Sequence, residues 1–269
     1  MKNKRLIVFT ICVLVGLLSF AGCYQPVRPP EIVSVPTRVP AELAAQRRTV
    51  GRSVQNRPLE SIVLGQSYPR LRGDRLAPAE AGVTFILAAI HGDEPAGTRL
   101  AERLAGHLQQ HPELLQGRQV VILPVANPDG IAHRTRFNAN GVDMNRNFAT
   151  SNRQDSAQHG YTALSEPEAR VIHQLIQEYM PDRIVSIHQP LTCIDYDGPA
   201  AALASHIAQN CDLPIRRLGA QPGSLGSYAG LTLRIPIITL ELPANADQLD
   251  QESLWRRYGP ALVAAITYR

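Results

Sequence analysis

The 269-residue sequence predicts an α/β fold, a single domain with a mixed, largely parallel central sheet flanked by helices. Three observations carry that expectation. Short apolar runs alternate with segments of helical periodicity along most of the chain. The runs are apolar throughout rather than alternating, as in strands covered on both faces. The length is enough for one sizeable core.

In chain order, the first 22 residues stand apart from this pattern. Lys2, Lys4 and Arg5 precede a 13-residue apolar run, Leu6 to Leu18, and FAGC follows, which is the layout of a secretory signal. Thirteen residues are short for a membrane span. Residues 23–41 carry five prolines and little periodicity, so after Cys23 they read as an extended tether. The folded body is therefore expected over 42–269. Within it, LESIVLG (59–65) and VTFILAAI (83–90) read as strands, 96–110 as a helix, and QVVILPVA (119–126) as a strand. A helix from Glu166 to Met180 follows, with Ser165 and Glu168 spaced as a capping box. RIVSIH (183–188), a helix near 200–210, IPIITLEL (235–242) and an amphipathic helix over 247–267 complete the series.

Composition narrows the chemistry. The formal charge of +4 falls to +1 without Lys2, Lys4 and Arg5, so no nucleic-acid partner is implied. No lysine occurs after Lys4. A pyridoxal Schiff base, a phosphate-loop lysine and a Ser-Lys dyad each need an amine that the body of the chain lacks. PGSLG and GSYAG both miss the Gly-x-Ser-x-Gly spacing of a serine-hydrolase elbow.

Ligands of open α/β sheets bind beyond the carboxyl ends of the strands. Three polar residues sit at such ends: His91 after VTFILAAI, His188 after RIVSI, and Glu241 after IPIITL. Glu94 follows His91 by three residues, on the same turn. Two imidazoles and a carboxylate would give zinc three ligands and an open fourth position, the pattern of a catalytic site, with Glu241 left as a general base. One Zn²⁺ per chain is the expected cofactor. Of the other six histidines, His107, His111, His173 and His206 fall on or beside predicted helices, and His133 and His159 fall in loops.

Between these elements lies NPDGIAHRTRFNANGVDMNRNF, residues 127–148. With the upstream His-x-x-Glu and the two downstream strand ends, it resembles the zinc carboxypeptidase (funnelin) family, from about Gly51 to the end of TLELP. The resemblance implies that His91, Glu94 and His188 bind zinc and that Glu241 is the general base. It implies that Asn145 and Arg146 hold the substrate's terminal carboxylate, and that Arg136 stabilises the oxyanion. Arg134 lies close enough to compete for that last alignment. Asp143 would orient His91 through its other ring nitrogen, or serve only a turn.

HQPLTCIDYDGPA and PGSLGSYAG resemble the matching stretches of the family's murein peptide amidases. That implies hydrolysis of a γ-D-glutamyl-meso-diaminopimelate bond in murein peptides; other carboxypeptidase specificities and a non-catalytic murein-binding envelope lipoprotein are the alternatives. Two readings of GSLGSYAG stand, a substrate loop with Tyr228 closing over the ligand, or a surface loop. Asp195 and Asp197 likewise read either as partners for a distal ammonium or as a solvated acidic turn. Ala-Gly-Cys at 21–23 resembles the lipobox of bacterial lipoproteins, although Phe20 departs from the usual leucine. Cys23 would then carry lipid and anchor the protein to a membrane on the periplasmic side of the envelope. Cys193 and Cys211 remain, either as a disulfide or as two thiols.

Overall fold

The computed structural model describes residues 45–66, 70–71, 74–75 and 82–269, all within the unit Arg38–Arg269. The signal-like start, Cys23 and the proline-rich tether lie outside the described residues.

The chain opens with a hairpin, β1 (Gln46–Arg52) against β2 (Pro58–Gly65), and a separate two-stranded pair, β3 (Arg70–Leu71) with β4 (Asp74–Arg75). The predicted alternation then follows as β5 (Gly82–Ala88), α1 (Ala96–Gln110), β6 (Arg118–Leu123), α2 (Pro128–His133), α3 (Pro167–Tyr179) and β7 (Arg183–His188). The last elements are β8 (Leu191–Asp197), α4 (Ala201–Ala208), β9 (Ile237–Pro243) and α5 (Gln251–Thr267).

Seven strands form one sheet in the order β1-β2-β6-β5-β7-β9-β8. The four central strands are parallel, and the outer pairs β1/β2, β2/β6 and β8/β9 are antiparallel. This is the mixed, largely parallel sheet that the sequence predicts.

Period-two geometry explains why the central runs are apolar throughout. Ile86 and Ala88 of β5 face a core shared with α1, α4 and α5. Val83, Phe85 and Leu87 of the same strand face a second core with α3 and the segment around Tyr228. Helix α1 repeats the logic at helical spacing, burying Ala96, Leu100, Ala101, Leu104 and Leu108 along one stripe.

One strand was not foreseen, and two readings are settled or corrected. Strand β1 has no apolar pattern because it is an edge strand with exposed residues. Of the two readings of Asp195 and Asp197, the solvated turn does not hold: the stretch is strand β8, hydrogen-bonded to β9 along its length, with both residues buried. The capping box at Ser165 does not form. Ser165 Oγ donates to Glu166, and Glu168 is fully buried, accepting from the Val54 N–H and from Asn138. The tertiary use of Glu168 outweighs its local one.

Candidate metal centre and substrate pocket

Strand β5 delivers His91 through a sharp bend. Ala89 adopts φ 52°, a left-handed conformation that an alanine holds only under constraint. The N–H groups of Ala126 and Asn127 pin that bend by donating to the carbonyls of Ala88 and Ala89. Gly92 follows because the chain there presses against α2: a Cβ at Gly92 would fall on the backbone of Gly130. Glu94 then stands just ahead of the first turn of α1, where the helix dipole favours a carboxylate.

His188 arrives from β7, paired in register with Glu241 of β9. The rings of His91 and His188 lie with centroids 5.0 Å apart. Nδ1 of His91 is 2.7 Å from Glu94 Oε1, and Nδ1 of His188 is 2.8 Å from Glu94 Oε2. The three residues are buried and offer ligand atoms within 4.8 Å of one another.

The outward nitrogens test whether this trio suits a cation. His91 Nε2 lies 3.1 Å from Asp143 Oδ1, and His188 Nε2 lies 3.0 Å from Ser186 Oγ. Both Asp143 and Glu94 can only accept, so the His91 ring is held by a carboxylate at each nitrogen; a metal at Nδ1 would replace the proton facing Glu94 and leave the Nε2 proton donated to Asp143. Ser186 holds His188 the same way if its oxygen accepts. Two imidazole nitrogens and a carboxylate then converge on one point, where the positive charge that Glu94 demands comes either from ring protons or from a bound cation. The donor set, imidazole and carboxylate, fits zinc.

Burial alone would raise the pKa of Glu94, but the charges and hydrogen bonds of His188 and His91 outweigh it and hold the group below its usual range. Asp143 behaves similarly: burial works to raise it, and His91, Arg136 and Arg146 win. Both readings of Asp143 hold at once, since its Oδ1 also accepts from the Asn145 N–H at 2.9 Å and caps the short turn Met144–Arg146.

The trio opens into a pocket of about 420 Å³ that is also lined by Arg136, Asn145, Arg146, Leu191, Asp195, Asp197 and Glu241. Arg136 grips Asp143 Oδ2 through Nε at 3.0 Å and NH2 at 2.9 Å, leaving NH1 3.7 Å from Glu94 Oε1. Arg134 lines a different cavity, beside Gly92 and Asp93, so the structure brings Arg136 and not Arg134 to the pocket. Asn145 Oδ1 accepts from the Leu225 N–H at 2.8 Å, which leaves its amide nitrogen as a donor. Glu241 Oε2 accepts from the Leu191 N–H at 3.3 Å. Burial pushes Glu241 above the usual carboxylate range, against the opposing charge of His188.

Tyr228 does not reach the pocket, which corrects its expected place over the substrate. It is 4% exposed, packs on Phe148 with ring centroids 5.6 Å apart, and its hydroxyl lies 2.7 Å from His173 Nδ1. A large ring gains more from that core than a mobile loop would offer. Cys193 and Cys211 are both free thiols.

Two functional positions escaped the sequence. Ser186 lies two residues before His188 on the same strand face, and period-two reasoning finds it once the strand is accepted. Gln189 accepts from the Ala96 N–H at the start of α1 with its side chain and donates its own N–H to Glu94 Oε2, tying the two ligand-bearing segments together.

The sequence profile of the family described as zinc carboxypeptidase matches residues 43–208. The chain is 35% identical to murein peptide amidase A of Escherichia coli (strain K12) over 198 residues, which is 66% of this chain and 78% of that protein. It is 32% identical to murein peptide amidase A of Vibrio campbellii, over 62% of this chain and 72% of that one. The crystal structure of a murein-tripeptide amidase from Escherichia coli O157 superposes with a TM-score of 0.58 at 28% identity, covering 86% of this chain and 97% of that one.

Proposed function

The chain belongs to the zinc carboxypeptidase family, and from that premise we propose that it hydrolyses the amide bond joining γ-D-glutamate to meso-diaminopimelate in murein peptides. One observation carries the chemistry: His91, Glu94 and His188 converge within 4.8 Å, and Glu241 lines the same pocket. The likeness to the two murein peptide amidases supports the substrate.

His91, Glu94 and His188 would hold the metal, with Asp143 and Ser186 fixing the two imidazoles from behind. Zinc bound there supplies the Lewis acidity that makes water a nucleophile near neutral pH. Asn145 and Arg146 take the terminal carboxylate, because a guanidinium forks two N–H donors onto a carboxylate and keeps its charge. Arg136, braced by Asp143, turns its remaining donors toward the oxygen that becomes negative as the carbonyl is attacked. Glu241 removes a proton from the attacking water and returns it to the leaving amine. Its burial suits that part, since a base with a raised pKa holds the proton long enough to pass it on. Water adds across the C–N bond, and a free amino acid and a shortened peptide leave.

The alternative of a binding protein without catalysis requires the loss of a ligand or of the base, and all four residues are present. The test is to incubate the zinc-loaded protein with L-alanyl-γ-D-glutamyl-meso-diaminopimelate, with and without a chelator. Metal-dependent release of diaminopimelate is the expected result, and its absence under every metal condition removes the substrate assignment.

We also propose that the protein acts at the membrane surface of the bacterial envelope, on its periplasmic side, held by lipid on Cys23. The charged start, the apolar run and Ala-Gly-Cys support this. Among the described residues no helix is long and apolar enough to cross a membrane. Fractionation of a Cys23→Ser variant tests it: the protein should leave the membrane fraction, and unchanged association refutes the anchor.

A further inference from the structure

Arg136 and Arg146 stand at opposite ends of one loop between α2 and α3, so a substrate meets both at a fixed separation only if the two ends are held together. Each end carries a buried asparagine just beyond its arginine: Asn138 is 3% exposed, and Asn147 is fully buried. Asn138 spends its whole amide on the loop. Its Oδ1 accepts from the N–H groups of Asn140 and Val142, both at 3.1 Å, which folds residues 138–142 into a tight turn. Gly141 supplies the φ of 75° that this turn requires. The Nδ2 of Asn138 donates to Glu166 Oε2 at 2.7 Å and to Glu168 Oε2 at 3.0 Å.

Glu166 joins this end of the loop to the other. Its Oε2 also accepts from Asn140 Nδ2 at 2.8 Å, and its Oε1 accepts from Ser165 Oγ at 2.8 Å. Its backbone N–H donates to Asn147 Oδ1 at 3.2 Å, and Asn147 Nδ2 donates in turn to the His159 carbonyl at 2.8 Å and to Ser165 Oγ at 3.0 Å. The side chain of Glu166 thus grips the Arg136 end, and its main chain grips the Arg146 end. The mount is rigid, because Glu166 caps α3, which packs into the second core through Val171, Ile172, Leu175 and Ile176. Glu166 is 4% exposed and lies outside the residues that line the substrate pocket. A carboxylate buried there is costly unless these donors stay in place, so it holds them to one geometry.

We propose that Glu166 is a positioning residue: it sets the separation between Arg136 and the pair Asn145 and Arg146, so that a substrate held by its terminal carboxylate brings its scissile carbonyl to the oxyanion arginine. The inference rests on the peptidase function proposed above. Its signature lies in the use made of that carboxylate. With the loop ends released, Asn145 and Arg146 no longer present a fixed fork, and the carboxylate stops contributing to binding and alignment.

The experiment uses the zinc-loaded, full-length protein and two substrates, L-alanyl-γ-D-glutamyl-meso-diaminopimelate and the same peptide amidated at the α-carboxylate of the released residue. The wild type should favour the free carboxylate by about 10²-fold or more in kcat/KM, the size expected of a bidentate, charge-assisted contact. In Glu166→Ala that ratio should fall by about tenfold or more while zinc stays at one per chain. A role in stability alone would slow both peptides alike and leave the ratio unchanged. Glu166→Gln should keep the wild-type ratio, because its oxygen replaces Oε2 and its amide donates to Ser165 Oγ. Asn140→Ala, which removes one donor from Glu166 at an exposed position, should lower the ratio by about two- to threefold, and it decides the matter if Glu166→Ala does not fold. Calorimetric binding of free diaminopimelate and its α-amide gives the same ratio without turnover. If neither peptide is cleaved, the proposed peptidase function fails, and the calorimetric ratio alone decides the inference. A wild type with no preference for the carboxylate in either assay, a preference that these alanine variants leave intact, or one lost equally in Glu166→Gln overturns it.

Discussion

At the metal end of the pocket the buried carboxylates Glu94 and Asp143 are each met by imidazole or guanidinium side chains, whereas at the far end Asp197 is buried beside an acid and met by no hydrogen bond or ion pair among the described residues. Glu94 faces two imidazoles, and Asp143 faces His91 and Arg136. Asp197 has only the distant field of Arg217. The two ends therefore respond differently to mutation. Groups held in mutual balance lose function when one is removed, because the remainder is stranded in a dry site. A group held without balance destabilises the empty protein, and its removal should stabilise it.

The comparison can be broken most severely at Glu94. Glu94→Ala removes the one carboxylate that both imidazoles face, and turnover should fall on the order of 10⁴-fold or more, as expected for a member of a unit that acts together. Zinc retained at one per chain with turnover intact would show that the trio is not the metal site. Arg136→Ala should be milder, lowering kcat by about 10²–10³-fold with zinc still bound, in the range for loss of one oxyanion donor. A loss confined to KM would move Arg136 from the oxyanion to substrate binding.

Smaller again is the effect of the residues behind the imidazoles. Asp143→Asn should weaken zinc binding by about 10–100-fold, and Ser186→Ala by about tenfold, because each fixes which ring nitrogen is bare. Metal titration followed by absorbance of a competing chelator reads both.

The smallest effect has the opposite sign. Burial raises Asp197 from 3.8 to about 6, so the folded protein binds that proton more tightly than the unfolded chain does. The penalty is absent below about pH 4, grows as pH rises through the window to 6, and is complete above it. Asp197→Asn should therefore raise Tm at pH 7.5 by about 2–4 °C, and the gain should vanish below pH 4. A variant that melts lower than wild type at pH 7.5 would mean that Asp197 has a stabilising partner after all.

Much of this was legible in the sequence where the chemistry sits at the end of an apolar run. His188 ends β7, His91 follows β5 by three residues and Glu241 lies near the end of β9, so the parallel sheet and the site follow from the same apolar runs. The acidic floor was harder to see. In Leu191–Asp197 the residues Cys193, Asp195 and Asp197 alternate with Ile194 and Tyr196, a period of two, but Asp-Gly at 197–198 also reads as a turn. Only pairing with β9, far away in sequence, decides between them. Tyr228 was unreadable for a related reason: its hydroxyl partner, His173, lies 55 residues away on α3. Ser165 and Glu168 show the converse, a local capping pattern given up for contacts with Val54 and Asn138 across the fold.

The claim on which the rest depends is that three side chains hold one zinc while a fourth, Glu241, is left free to move the proton. Glu241→Gln tests it in a single sample, by counting zinc per chain and measuring diaminopimelate release side by side. One zinc per chain with release abolished is the predicted result. Release that persists, or zinc lost together with the carboxylate, would contradict it.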